Sequence, residues 1–566
     1  MNTTTQKANW LQTLYMPVAR FISNLQSENI PFSCYFLTFL FAVTLRSLVE
    51  ATSTKLPLAV IPAAWTHYYL WAMSLAAAII ALGHFMTHES PMQTARLVLP
   101  GFIFLLIAPT IDLLVTSGGG AAMNYICPGD PVPLYQRFAT FFGPPMKSGI
   151  THGMRIEIAI VLCFAFFLFR LKHCCLMRSF IGTLCLYTVI FGFVSVPCFT
   201  DPVLRSISPG YRYSSSDIDY CFVLTTILIL VFLLWRERPP LFAALARNMR
   251  IPRLLHYELM LAFGWVLTGV HITRSLVASK VLEALMLGVS VAAAWCFAVA
   301  TNDLADEAID RVSSPSRPLV SNTILRTEHN HVTWVCFIIA CVSAFVLHPI
   351  PFFLILCFMA SYYVYSVPPL RLKRIPIVSK LVISGNSLLL IAVGFMLGGR
   401  ELYQLPSKLV LFFLVPVTLA ANFIDLKDYE GDRKEGVWTL PVLIGMRPAQ
   451  FVIGALWLVA YAAFAMLTAA HWLRVVLLII GVIQFALITR RRYSELPVFC
   501  VYLASLLAVL FLLFSKSQML SAEGHACSKS SQGNCRLLTS PTGRTCYNTF
   551  IEERREPCRP PLSSRS

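Results

Sequence analysis

The sequence predicts an all-α, polytopic membrane protein, and three observations predict it. The 566 residues are 57% hydrophobic and only 13% charged, too little polar material to coat a soluble body of this size. Many apolar runs continue for the roughly 18–20 residues that a helix needs to cross a bilayer. The runs are unbroken rather than alternating, which argues against a transmembrane barrel and leaves the helical solution, in which every backbone polar group is paired within its own segment.

Taken in order, about six spans occupy residues 1–240, near 31–49, 63–86, 97–117, 154–171, 178–198 and 219–235. A polar, basic stretch follows, RERPPLFAALARNMRIPR, whose proline pair and five arginines mark a domain boundary. About nine spans then fill residues 241–515, near 255–273, 280–301, 332–348, 351–366, 379–398, 408–424, 450–470, 473–489 and 497–514. The tail, 516–566, is rich in Ser, Arg and Cys and is expected to be disordered. An odd number of spans would put the tail outside, where Cys527, Cys535, Cys546 and Cys558 could pair.

The net charge of +17 does not indicate nucleic acid. Its bases sit in short loops between spans: Arg170, Lys172 and Arg178; the five arginines of the linker; Arg371, Lys373 and Arg374; Arg490 to Arg492. Alternate spans put these loops on one side, which the positive-inside rule makes cytoplasmic. The expected location is an integral, multi-pass protein of the cell or inner membrane. Most of the seventeen cysteines lie inside apolar runs and read as small hydrophobes, with no zinc spacing among them. The N-terminus lacks the charged start, apolar centre and cleavage site of a signal peptide. In the first half, His67, Asp112 and Glu157 fall in or near spans; helix-to-helix hydrogen bonding is the favoured reading, and no catalytic constellation precedes residue 240.

The chemistry concentrates in two acidic stretches, NDLADEAID from Asn302 and DLKDYEGD from Asp425. Each ends an apolar run and carries aspartates at i, i+3 and i+7: Asp303, Asp306 and Asp310, then Asp425, Asp428 and Asp432. On a helix that spacing gathers three carboxylates within about a 60° arc, and such a row is costly at a membrane unless it holds cations. A calcium loop is excluded by spacing. An acid–base pair needs two carboxylates, not six. Hard oxygen ligands at this density suit Mg2+ bridged to substrate phosphates. Bases stand beside them: Arg311 and Arg317 after the first row, Arg371, Lys373 and Arg374 with the phenol of Tyr365 in YSVPPLRLKR, and Arg433 and Lys434 after the second. Glu307 and Glu430 break the i, i+3, i+7 face and read as solvated or Arg-paired. Metals for the bridging charge and bases for the remaining oxygens make a diphosphate site. The rival is a cation transporter or channel, whose sites usually lie at the bilayer midplane on broken helices rather than at the ends of spans.

These motifs resemble the UbiA superfamily of intramembrane prenyltransferases over about residues 250–515. NDLADEAID resembles that family's first aspartate-rich motif and DLKDYEGD its second, and SRPL and YSVPPLRLKR resemble the stretches after its second and fourth helices. The resemblance implies a nine-helix bundle and a Mg2+-dependent transfer from a polyprenyl diphosphate to a lipophilic, commonly aromatic, acceptor. It implies Asn302, Asp303, Asp306, Asp310, Asp425, Asp428 and Asp432 as metal ligands, with Asp306, Asp310, Asp428, Asp432 and Lys373 central to catalysis. It implies that Asn302, Arg311, Arg317, Tyr365, Arg371, Lys373 and Arg374 hold the diphosphate. Asn386 either faces the cavity or packs helices. The six preceding spans lie outside the resemblance and could form a scaffold joined by a mobile hinge.

Overall fold

The computed structural model describes residues 16–121, 124–143, 150–211, 214–269, 274–313, 317–468 and 470–530. Each expected span is a helix. The first half supplies Phe32–Ser53, Ile61–Thr87, Pro91–Val115, His152–Leu171, Leu176–Val194 and Ser215–Glu237. The second supplies Ile251–Leu267, Val277–Ser313, Arg326–Leu347, Pro349–Ser366, Val378–Leu397, Ser407–Leu426, Met446–Leu467, His471–Ile488 and Glu495–Ser530. Among the described residues, thirteen are long and apolar enough to cross a membrane. His152–Leu171 and Ile251–Leu267, the latter with 17 residues, complete the expected set without being among the thirteen. The last helix runs to Ser530, past the expected start of the tail at 516. Cys535, Cys546 and Cys558 lie outside the described residues.

Each half buries its own apolar core, one built around Phe39, Phe142 and Phe191, the other around Met260, Leu287, Phe358 and Ile391. The halves also pack on each other. Tyr220 and Val223 of Ser215–Glu237 cover Met286, and Asp217 accepts hydrogen bonds from Tyr211 and from Ser279 at 2.7 and 2.8 Å. The linker is a helix, Pro239–Asn248, started by its proline pair and seated through Leu241 and Ala244 on Ile324. A seated helix occupies the stretch that could have formed a mobile hinge.

The polar groups of the first half tie helices together. Asp112 accepts from the Gly153 amide at 2.9 Å and Glu157 from the Ala108 amide at 3.0 Å. His67 bridges Asp219 at 2.5 Å and Tyr125 at 2.7 Å.

Two features of the second half position the site. Val277–Ser313 has 37 residues, about 55 Å at 1.5 Å per residue, far more than the ~30 Å hydrocarbon layer, and Asp303, Asp306 and Asp310 lie near its C-terminal end. Ile251–Leu267 and Val378–Leu397 cross backbone to backbone: a Cβ on Gly264 would lie 2.0 Å from the Ile391 carbonyl oxygen, and one on Gly394 1.9 Å from that of Leu261. Small residues permit this approach, which packs membrane helices without an apolar driving force between them.

Candidate functional site

The first acidic row lies on the continuous Val277–Ser313 helix, as its spacing predicts, and its three aspartates are buried. Burial on that face forces each carboxylate to find a cation. Asp303 accepts from Asn248 at 2.6 Å, Arg317 at 2.8 Å and Arg250 at 3.2 Å. Arg317 also reaches Asp310 at 2.5 Å. Asp306 takes Arg371 at 2.5 Å together with Lys373. Asn302 accepts from Ser366 at 3.1 Å and from Lys373 at 3.4 Å.

The second row departs from the single helix its spacing predicts. Pro416 cannot donate to the helical ladder, and the helix passes through a π turn, Phe413–Val417, then tightens into a 3₁₀ turn, Ala421–Leu426. A new helix, Tyr429–Glu435, starts after Asp428. The Asp428 amide bonds to the Asp425 carbonyl at 3.2 Å and the Asp432 amide to the Asp428 carbonyl at 2.8 Å. Three residues per 3₁₀ turn eclipse the first pair and an α turn nearly aligns the second, so the row survives the break in the helix. Asp425 is buried and paired with the buried Lys380. Asp428 is exposed and Asp432 half-buried. Burial, with Asp425 and Asp428 close by, pushes Asp432 up to about 6.

The Tyr365 phenol lies within electrostatic reach of both Asp306 and Asp425. Arg253 faces Asp428 and pairs with Glu495 at 3.3 Å, which also holds Lys427 at 2.6 Å. Burial draws the Lys373 ammonium below its usual value, against the pull of Asp306.

Below this polar rim lies an apolar cavity with about 1470 Å³ of atom-free space, counting its open mouth. Arg250, Arg253, Asn302, Tyr365 and Ser366 line its polar end. Its walls are Phe263, Trp295, Phe412, Phe413, Trp457, Phe464 and Leu477, drawn from five of the membrane helices.

Several expected site residues stand elsewhere. Arg311 turns to Glu307 at 2.7 Å and is 66% exposed, because i, i+4 pairing on the outer helix face is the nearest partner. Glu307 is held by Arg311 and Arg326. Arg374 is exposed beside Gly436 and Trp438. Asn386 accepts from Ser361 at 2.7 Å, a helix-to-helix contact. Conversely, Asn248, Arg250 and Lys380 touch the rows without having been singled out for that. Lys380 carried a signal: a charge inside an apolar run is a functional candidate by default.

The donor set around the rows is oxygen-only and hard, which fits Mg2+. Among the described residues no three carboxylate, histidine or cysteine side chains converge closely enough to hold a metal by themselves. Asp303, Asp306, Asp310 and Asp425 are neutralised instead by Arg250, Arg317, Arg371, Lys373 and Lys380.

Residues 262–506 match the family described as UbiA prenyltransferase family. Among curated proteins, the digeranylgeranylglyceryl phosphate synthase of Haloquadratum walsbyi is 30% identical over 208 residues, 36% of this chain and 65% of its own length. The chloroplastic homogentisate solanesyltransferase of Arabidopsis thaliana is 32% identical over 194 residues, 33% of this chain and 50% of its own length. The chain thus spans between half and two thirds of these relatives. A solved UbiA homologue from Archaeoglobus fulgidus, bound to GPP and Mg2+, aligns with 48% of this chain and 99% of its own at 20% identity, with a TM-score of 0.40.

Proposed function

We propose, from the premise that residues 262–506 form a UbiA prenyltransferase family domain, that the protein transfers a prenyl group from a polyprenyl diphosphate to an aromatic or other lipophilic acceptor within the membrane. The relatives' names, digeranylgeranylglyceryl phosphate synthase and homogentisate solanesyltransferase, support prenyl transfer in general. The observation that carries the reading is the union of opposites at one cavity: Arg250, Arg253 and Asn302 at its polar end, with Arg250 paired to the buried Asp303 behind it, and aromatic and aliphatic walls below.

Asn302, Asp303, Asp306, Asp310, Asp425, Asp428 and Asp432 would hold Mg2+, which supplies charge neutralisation to the bridging diphosphate oxygens. Arg317, Arg371 and Lys373 bind the remaining oxygens and stabilise the diphosphate as it leaves. The partly desolvated Lys373 suits this, since an ammonium already short of water gains most from a new anionic partner. The isoprenoid lies among Phe263, Phe412 and Phe464, where each buried CH₂ contributes about 0.8 kcal/mol. The walls keep water from the allylic cation until the acceptor captures it. Both rows face the cytoplasm in this reading, on the side of the basic loops.

Membranes holding the protein, incubated with labelled prenyl diphosphates of several lengths with and without Mg2+, test the proposal by mass analysis of the lipid extract. A prenylated lipid formed only with Mg2+ is the expected result. Diphosphate left intact at every length would overturn it.

A further inference from the structure

We infer that Tyr502, backed by His256 and Ser387, takes the proton that the acceptor loses when the new bond forms. The inference rests on the transferase reading above and adds to it a proton sink.

The hydrogen bonds fix the direction of the chain. His256 Nε2 pairs with Ser387 Oγ at 2.9 Å, and Nδ1 pairs with the Tyr502 hydroxyl at 2.9 Å. Ser387 Oγ also donates to the Ile383 carbonyl at 3.1 Å. A hydroxyl has one proton to give; Ser387 has spent it on Ile383 and therefore accepts from His256. The network thus assigns the proton to Nε2, leaving Nδ1 an acceptor and Tyr502 its donor. The Tyr502 oxygen keeps acceptor capacity, and among the described residues it has no second partner.

All three residues line the cavity. Their depth follows from the helices that carry them. His256 is three residues below Arg253, about 4.5 Å along the axis, and Ser387 seven below Lys380, about 10 Å. Tyr502 lies seven below Glu495, the partner of Arg253. The chain therefore sits one to two turns inside the polar mouth, where the carbon bonded to a seated diphosphate would lie. A pocket made only to dissolve a hydrocarbon would not carry an imidazole there, since burying a polar group without use is a cost.

The step balances. The bond between the allylic carbon and the diphosphate oxygen breaks, and the electron pair leaves with diphosphate. A bond forms from the acceptor carbon or oxygen to the allylic carbon. The proton at that acceptor atom passes to the Tyr502 oxygen while the Tyr502 proton passes to His256 Nδ1, giving an imidazolium whose Nε2–H is held by Ser387. Tyr502 is the catalytic group; His256 and Ser387 act through it. The acceptor class this requires is a phenol, an electron-rich aromatic ring or an alcohol, each with a proton to lose.

Membranes carrying the full chain are incubated with labelled geranylgeranyl diphosphate, Mg2+ and, in separate arms, homogentisate, a glyceryl phosphate ether, or the membrane's own lipids. Prenylated product and prenyl alcohol are each measured per diphosphate released. Tyr502→Phe keeps the ring against Trp457 and Phe499 and should lower product per diphosphate released by about 100-fold, the scale of general base catalysis, with prenyl alcohol rising in its place. His256→Ala should behave likewise and regain product with added imidazole but not with 1,2,4-triazole, which has the same shape and little basicity. Ser387→Thr should keep product where Ser387→Ala loses it. A Tyr502→Phe product ratio equal to wild type, or rescue by triazole as good as by imidazole, overturns the relay alone. Wild-type membranes that form no prenylated product in any arm overturn the transferase reading and the relay with it.

Discussion

Lys380→Met tests the electrostatics of the second acidic row. Lys380 is 4% exposed and Asp425 7%, and the ammonium is the carboxylate's hydrogen-bonding partner. Methionine keeps the length of the side chain and removes the charge, which leaves Asp425 buried without its counter-ion. Removing one partner of a buried pair costs about 3–5 kcal/mol. At about 2–4 °C per kcal/mol for a domain of 150–250 residues, the loss amounts to roughly 6–20 °C in Tm. The assay is thermal unfolding of the purified protein in detergent, with EDTA or with Mg2+ and inorganic diphosphate. In EDTA the full loss is expected. Mg2+ with diphosphate, by replacing the missing charge, should restore about 2.7 kcal/mol at a hundredfold excess over its dissociation constant. The double variant Lys380→Met/Asp425→Leu removes both charges and should recover most of the stability, since an apolar pair of similar volume is often no worse than a buried ion pair. A single variant that melts with wild type, or a double variant no better than the single, would refute the reasoning.

Four further outcomes are expected. Asp306→Ala or Asp428→Ala should abolish Mg2+-dependent diphosphate release while membrane insertion, read by alkali-resistant sedimentation, is unchanged. Lys373→Ala should raise the apparent prenyl-diphosphate KM, and an effect confined to the acceptor would contradict its role. Asp432, pushed up to about 6, holds its proton below that pH, so a carboxylate donor is lost as pH falls. The Mg2+ needed for half-maximal rate should therefore climb below about pH 6, and Asp432→Asn should flatten that rise. A chain beginning at Arg247 strips cover from Met286 and Ile324, 0% and 1% exposed. At about 1.5–3 kcal/mol for each side chain laid bare, it should unfold at lower temperature than the full chain, measured in the same detergent.

The helices and the first acidic row were legible because both are written in short-range periodicity. Apolar runs set the spans, and Asp303, Asp306 and Asp310 share a face wherever a helix continues. The second row was harder. Nothing in the spacing of Asp425, Asp428 and Asp432 reports that Pro416, nine residues before Asp425, loosens the helix and that a 3₁₀ turn re-registers it. The partners of the carboxylates were the least legible. Arg250 and Asn248 reach Asp303 across 53 and 55 positions of sequence, and such pairings are set by tertiary packing that no local pattern encodes. Arg311 and Arg374 show the converse: adjacency in sequence placed them beside the motifs, and the helix face or the turn carried them away.

The glycine crossing at Gly264 and Gly394 has a consequence for how substrate preference could change. These two helices bring Arg253 and His256 on one side and Lys380 and Ser387 on the other, and no side chain stands between them to yield. One added methyl group would wedge the pair apart and shift all four residues together. On the proposed function, room for a longer or shorter isoprenoid would have to be found at the far wall, where Phe412, Phe464 and Leu477 can be exchanged one at a time. The proposed reactive end of the pocket would then be fixed by main chain and the measuring end by replaceable side chains, so length selection could drift while the chemistry stayed in register.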